Sequence, residues 1–445
     1  MKKILLFVLA ILFTTADAQE IQMYFPHFKG KTYNFVIFRG SDAKVVIKDT
    51  IPQDGKFTLK IPKEYAPYTG MSRWLITGTQ EGGGLDMLIP GHDFSVKCTS
   101  AKPDNDNIIY TDNVEIPELN LFYKKQSEIF ARHDAMLQAT KAFTSKDKNY
   151  SVYEQEYRNQ LKAYERLQDE LKKKNDYASK FLPIVNLTQG IGTKIYQSEE
   201  EKARNAADYI TNELDWEVLY TSGHWSGVIT SWVDIHTLVL NNPKKFAADF
   251  SEINKKITDP DKYTDLVKRI AFAVNKSGED RFLAEIAPIV AGSGKVTSYD
   301  GLLAAYVSGT QGNIAPDLTL SPDGKMILKS SNFSGKEYRK TLLIFYKSDC
   351  GSCIELLREL SVKYEQLKSA GVRIISFSAD EDETVFKNKT KDFLWKDFYT
   401  DLKGLKGINF KNYGVVGTPT LFLIDRSGKI ELRTATLREI EDQLK

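Results

Sequence analysis

The sequence predicts a multi-domain α+β protein: an N-terminal all-β sandwich, a central helical region and a C-terminal α/β domain. Three observations predict it. Apolar residues alternate with polar ones as far as about Cys98; they recur every three or four positions between about Pro117 and Ser298; and from Ala315 short apolar runs alternate with helical patterns. The length of 445 residues agrees, since about 150 residues per domain gives two or three domains. With 42% apolar and 27% charged residues, the chain is neither disordered nor collagen-like nor a disulfide scaffold. Its 61 Lys and Arg against 59 Asp and Glu leave no basic footprint, so nucleic acid is not expected as a partner. Five His and three Cys are little material for a metal site, and none is expected.

Residues 1–18 read as an export signal. Lys2 and Lys3 are a basic start, Ile4 to Phe13 is an apolar run, and Ala16-Asp17-Ala18 is a small-x-small cleavage site. The apolar run is short of the roughly 20 residues that span a bilayer. No cysteine follows the cleavage site to carry a lipid anchor, and no later apolar run is long enough to span a membrane. Cleavage after Ala18 would deliver the chain to an oxidising compartment. The rest divides into a β domain over 19–112, a helical region over 113–311 and an α/β domain over 312–445.

In the β domain, Tyr33, Phe35, Ile37 and then Val45, Ile47 read as strands, as do Trp74–Thr77 and Phe94–Val96. Gln53-Asp54-Gly55-Lys56 is a hairpin signal ahead of Phe57, Leu59 and Ile61. In the centre, Leu161, Tyr164, Leu167, Leu171, then Ile210, Leu214, Val218, then Leu266, Ile270, Val274 mark amphipathic helices. Pro243 and Pro260 stand near helix starts. The C-terminal part reads as a turn at Ser321-Pro322-Asp323-Gly324, buried strands at Thr341–Tyr346 and Val372–Phe377, and a helix over about Ser352–Ser369. A hairpin around Asp425-Arg426-Ser427-Gly428 and a last helix over Leu437–Leu444 follow. Alternating strands and helices indicate a central sheet with helices packed on it.

The chemistry sits at Cys350-Gly351-Ser352-Cys353, a C-x-x-C between a buried strand and a helix. Free N–H groups and the dipole at a helix N-terminus stabilise a thiolate. Cys350, the outer residue, is the expected nucleophile; Cys353, one turn in, can resolve a mixed disulfide. Three other readings stand beside this one. A zinc half-site would need two further ligands, which the sequence does not show. A static disulfide or an inert remnant of a redox site would keep the cysteines without the cycle. A second element, Gly417-Thr418-Pro419-Thr420, places a candidate cis Thr-Pro bond at the start of a buried strand. A cis proline leaves the preceding backbone groups free to pair with an extended substrate.

With these residues in view, the region from about Gly312 resembles the thioredoxin fold of the TlpA/ResA-like thiol–disulfide oxidoreductases. The resemblance rests on Ala315-Pro316-Asp317-Leu318, Asp323-Gly324-Lys325, the C-x-x-C and Ser376-Phe377-Ser378-Ala379-Asp380. Tyr413-Gly414-Val415 and Gly417-Thr418-Pro419-Thr420 complete it. The N-terminal part, through Asp54-Gly55-Lys56-Phe57, is similar to a β domain found ahead of such units in Bacteroidetes. The resemblance implies a periplasmic or cell-envelope location, a disulfide-containing protein substrate and a membrane-bound electron donor; no cofactor is required.

Two departures from the family pattern bear on the chemistry. Asp349 replaces the usual aromatic before the first cysteine, and its charge is expected to disfavour the Cys350 thiolate, with Lys347 as a partial offset. Ile344 occupies the position of the buried acid that many thioredoxins use as proton acceptor, which makes Asp380 a candidate for proton transfer at Cys353. The plainer reading of Asp380-Glu381-Asp382-Glu383 is helix capping. Cys98 is expected as a buried free thiol. His224, Trp225, Trp232 and His236 are expected in packing, with a substrate groove as the alternative.

The sequence thus points to an exported thiol–disulfide oxidoreductase, most simply a reductase, with Cys350 and Cys353 catalytic and Thr418 and Pro419 positioning substrate. A thiol peroxidase and an envelope binding protein built on the same fold are the rivals. Phe345–Cys350 lacks the Pro and Thr that a peroxidase places before its cysteine.

Overall fold

The computed structural model describes residues 19–79, 82–299, 301–307, 309–321 and 323–445, so the export signal read in residues 1–18 lies outside the described residues. The chain forms two compact units. One holds the residues up to 189 with 193–195 and 217–225; the other holds 190–192, 196–216 and 226–445.

The first unit opens with eight strands: β1 (Glu20–Tyr24), β2 (Thr32–Arg39), β3 (Asp42–Thr50), β4 (Lys56–Lys60), β5 (Thr69–Thr77), β6 (Gly84–Pro90), β7 (Phe94–Lys97) and β8 (Ile109–Thr111). They make two four-stranded sheets, ordered β4-β1-β7-β8 and β3-β2-β5-β6. The period-two pattern explains the sandwich, because it buries Tyr33, Phe35 and Ile37 on one face of β2. Aromatic side chains join the sheets: Phe57 on β4 lies 5.1 Å from Tyr33 on β2 and 5.8 Å from Trp74 on β5, centroid to centroid.

The turn at Asp54-Gly55 forms, but not as a hairpin. Gly55 adopts φ +73°, and a Cβ there would stand 2.4 Å from the Cα of Pro26. Yet β3 pairs with β2 and β4 with β1, so the turn carries the chain from one sheet to the other. Turn chemistry reverses the chain locally; the pairing of the flanking strands follows from which face each must bury. Cys98 is buried and free, with its thiol 3.1 Å from the Asn107 amide oxygen.

Three helices follow in this unit: α1 (Glu115–Ala142), α2 (Tyr150–Lys174) and α3 (Tyr177–Thr188). Asn175 ends α2 in the left-handed conformation, and Asp176 caps α3 by accepting from the Ser179 amide at 2.9 Å. Gln126 and Asn186 exchange two 2.8 Å amide bonds in the buried seam between α1 and α3.

The helical pattern continues with α4 (Glu199–Asn212), α5 (Trp216–Tyr220), α6 (Trp225–Asp234), α7 (Pro243–Lys256), α8 (Pro260–Ser277) and α9 (Asp280–Gly292). Pro243 and Pro260 do open their helices, capped by Asn242 and Asp259. The run Ile210, Leu214, Val218 is not one helix, because α4 stops at Asn212 and α5 begins at Trp216. Thr211, Asn212 and Asp215 are weak helix formers that interrupt the backbone while the apolar spacing runs on. The expected histidine–tryptophan cluster divides between the units. In the second, Trp232, His236 and Phe246 pack together, with ring centroids 4.7 to 5.4 Å apart. In the first, His224 stands 5.7 Å from Phe181 and borders a pocket of about 270 Å³.

The rest of the second unit is an α/β domain. It contains the short pair β9 (Leu318–Thr319) and β10 (Ile327–Leu328), then β11 (Lys340–Tyr346), α10 (Gly351–Ser369), β12 (Val372–Ser378), α11 (Glu383–Thr390), β13 (Asp397–Thr400), α12 (Ile408–Asn412), β14 (Thr420–Asp425), β15 (Ile430–Thr434) and α13 (Leu437–Leu444). The five-stranded sheet runs β13-β12-β11-β14-β15, with β11, β12 and β13 parallel and the other two strands antiparallel. Both faces are covered. Leu342, Ile344 and Tyr346 pack toward α10 and α13, while Leu343 and Phe345 pack toward Phe410 and Tyr413.

Arg433 on β15 fastens the helices to this domain. Its guanidinium, almost wholly buried, lies 3.0 Å from the Asp280 carboxylate, donates to Asn275 at 2.8 Å and donates to the Gly414 carbonyl at 3.1 Å.

Candidate active site

The strand β11 is buried on both faces and ends at Tyr346. Four residues later Cys350 caps α10, with the extended backbone of an N-cap (φ −85°, ψ 122°), and Gly351 begins the helix. That places the Cys350 sulfur at the open N–H groups of a 19-residue helix. Cys353 lies one turn along, on the buried face. It has 0% exposure and shares a core with Ile344, Tyr346, Leu356 and Leu421.

Both thiols are free. The Cys350 sulfur lies 3.2 Å from the Ser352 hydroxyl and 3.4 Å from the Thr418 carbonyl oxygen. The Thr418–Pro419 bond is cis, and β14 begins at the next residue. Residues 68 positions apart therefore meet at one sulfur.

The environment separates the thiols. Burial pushes Cys350 up, but the Ser352 hydroxyl, the Cys353 thiol and amide, and Thr418 outweigh it and bring Cys350 from 9.0 to about 7. Burial, aided by the neighbouring Cys350 and opposed by Thr418, pushes Cys353 up to about 12. Near neutral pH about half of the outer sulfur is thus thiolate, while the inner one is the thiol.

The expected penalty from Asp349 is overturned. Its carboxylate points to solvent with 68% of the side chain exposed and pairs with Lys347 at 3.0 Å. Solvent screening and that cation leave it little hold on Cys350.

Asp380 sits just past β12 and is buried. One oxygen accepts from the Ser348 amide at 3.0 Å and the other from the Ser348 hydroxyl at 2.5 Å. Both oxygens are therefore bound to the segment two residues before Cys350. The capping expected of this acidic run belongs to Asp382, which accepts from the amides of Thr384 and Val385 at 2.6 and 3.2 Å. Burial, with Asp380 and Cys353 nearby, pushes the Tyr346 hydroxyl well above its ordinary value.

Sequence reasoning missed two residues here. Ser348 had no signal, because its partner lies 32 residues away. Ser352 stands between the cysteines, and its position inside the first helical turn is the signal that could have pointed to the sulfur.

The region that carries this site is similar in sequence to known proteins. A sequence family described as thioredoxin-like matches residues 338–430. The thiol-disulfide oxidoreductase ResA of Bacillus cereus is 32% identical over 168 residues, which is 37% of this chain and 94% of that protein. Human nucleoredoxin is 31% identical over 119 residues, 26% of each chain. A solved thiol-disulfide oxidoreductase from Bacteroides fragilis is 26% identical, covering 30% of this chain and all of its own, with a TM-score of 0.26. A thioredoxin-like sheet that carries a C-x-x-C on a helix N-terminus, in a region matching nearly the whole of ResA, means that this chain belongs to the ResA-like thiol–disulfide oxidoreductases.

Proposed function

We propose that this chain is an exported disulfide reductase working through a Cys350/Cys353 couple. The separation of the two thiols carries the reading: an outer thiol at about 7 and a buried partner at about 12 are an attacking and a resolving sulfur. The Cys350 thiolate attacks one sulfur of a substrate disulfide. The S–S bond breaks, a mixed disulfide forms and the departing thiolate takes a proton from solvent. Cys353 then attacks the Cys350 sulfur, its proton passing to the departing substrate sulfur. The second substrate thiol leaves, and Cys350 and Cys353 are joined as a disulfide. Two electrons have passed to the substrate, and a membrane-bound donor restores the dithiol.

Thr418 and Pro419 receive the substrate backbone in this scheme, as the closeness of the Thr418 carbonyl to the Cys350 sulfur supports. Asp380 is a positioning residue whose two bonds hold the Ser348 segment. The domains are assigned as 19–112, 113–311 and 312–445, the first two selecting the substrate or docking the partner. Residues 1–18 supply the export signal, and the periplasm or cell envelope is the assigned location. No described helix is long and apolar enough to cross a membrane.

A first thiol near 7 belongs with the reducing members of the fold, since a strong oxidant carries its thiol at roughly 3.5. The test is a redox titration of the mature chain in graded thiol buffers, with alkylated sulfurs counted by mass. A reversible two-electron transition near about −270 mV is expected. A pair that never closes, or never reduces, overturns the reading.

A further inference from the structure

The loop after β13 is built in a way that the redox chemistry does not require. Because β11, β12 and β13 are parallel, their carboxyl ends share one edge of the sheet. Cys350 follows the first, Asp380 the second and Asp401 the third. Hydrogen bonds link the three. The Thr400 hydroxyl donates to the Ser378 carbonyl at 3.2 Å and to the Asp380 carbonyl at 3.4 Å, and Asp380 holds Ser348. A Cβ on Gly404 would stand 2.6 Å from a Glu381 oxygen, so the loops after β12 and β13 lie against each other.

The loop is braced. The Asp401 carboxylate accepts from the amides of Lys403 at 3.1 Å and Ile408 at 3.2 Å, closing it at both ends. The Thr400 hydroxyl accepts from the Leu402 amide at 3.1 Å. Leu402 nevertheless sits at φ +57°, in the left-handed region that favours glycine or asparagine over a branched side chain. Leu402, Leu405 and Ile408 are 36%, 44% and 49% exposed. Lone exposed aliphatics are ordinary. Three within seven residues, on a pinned loop beside a reactive sulfur and one in an unfavourable backbone conformation, are not. Lys403 and Lys406 alternate with them, and their side-chain ammonium groups have no carboxylate partner among the described residues.

We propose that the loop 401–408 is a docking surface for the polypeptide that carries the substrate disulfide, with Leu402, Leu405 and Ile408 receiving aliphatic side chains and Lys403 and Lys406 a carboxylate. This rests on the reductase reading and adds the substrate's local sequence to it. Two strand spacings, roughly 10 Å, separate β13 from β11. An extended chain covers that distance in about three residues. The selected residues therefore lie about three positions from the substrate cysteine that Cys350 attacks.

The test uses the full chain, reduced beforehand, and two peptides with an intramolecular disulfide that differ only in the flanks of their cysteines, Leu-Glu-Ile in one and Ser-Gln-Ser in the other. Rates are followed by thiol release as a function of peptide concentration. The second-order rate constant should be about 10-fold higher for the first peptide, with the difference in half-saturation and not in the limiting rate. In the Leu405→Gln, Ile408→Gln double variant the ratio should fall toward one. Equal rates in the unmodified chain, or a ratio that survives in the variant, overturn the proposal. So does a variant that slows on both peptides in the same proportion, since that loss is structural. If the unmodified chain reduces neither peptide, the reductase reading fails and the docking surface with it.

Discussion

Replacing Ser352 with alanine should slow Cys350 at neutral pH by a calculable amount. The hydroxyl lies 3.2 Å from the sulfur and lowers its pKa, together with the Cys353 thiol and amide and Thr418, from 9.0 to about 7 against the opposing effect of burial. At pH 7 about half of Cys350 is then thiolate, where an unperturbed thiol would be only about 1% ionised. A hydrogen bond to a charged acceptor is worth about 1.5–3 kcal/mol when buried. Cys350 is only partly buried, so water competes and about half of that is expected, or about 0.75–1.5 kcal/mol. At 1.36 kcal/mol per pH unit the midpoint rises to about 7.5–8, and the thiolate at pH 7 falls about two- to fivefold. The assay is the rate of iodoacetamide alkylation between pH 5 and 10, with the modified cysteine located by mass spectrometry. Cys353, held at about 12, should stay unmodified over most of that range. A midpoint in Ser352→Ala at or below that of the parent chain would refute the assigned cause. A parent midpoint near 9 would refute the thiolate itself.

Three further outcomes are expected. Asp380→Asn keeps an acceptor for Ser348 and should retain disulfide exchange, whereas Asp380→Ala removes both bonds and should cost about 2–4 kcal/mol in the unfolding of the α/β domain. A folded Asn variant that loses exchange would return Asp380 to proton transfer at Cys353. Asp280→Ala strands the buried Arg433 guanidinium and should destabilise the second unit by about 3–5 kcal/mol in denaturant titration, with Asp280→Ala, Arg433→Met recovering much of the loss; a single variant within about 1 kcal/mol of the parent contradicts this. The Cys353 thiol is raised from 9.0 to about 12, so its contribution is fully present below pH 9 and fades as pH climbs toward 12. Melting of the reduced chain should therefore decline more steeply above pH 9 than melting of Cys353→Ala, and parallel declines would show that this thiol is not the cause.

The sequence by itself determined most of the elements and where the C-x-x-C falls among them. Period-two alternation at Tyr33, Phe35 and Ile37 specifies a half-buried strand, and Cys350 and Cys353 three positions apart at a helix start specify an outer and an inner sulfur. These are local properties, set by backbone geometry over a few residues. The tertiary structure decided what depends on distant partners. It sent β3 and β4 to different sheets despite the turn between them, and it divided the run from Ile210 to Val218 into two helices. It bound Asp380 to Ser348, leaving the helix cap to Asp382. It also turned Asp349 to solvent beside Lys347 and brought Thr418 to the Cys350 sulfur. A charge acts through the distance and the dielectric that separate it from its target, and sequence spacing supplies neither until the chain has folded.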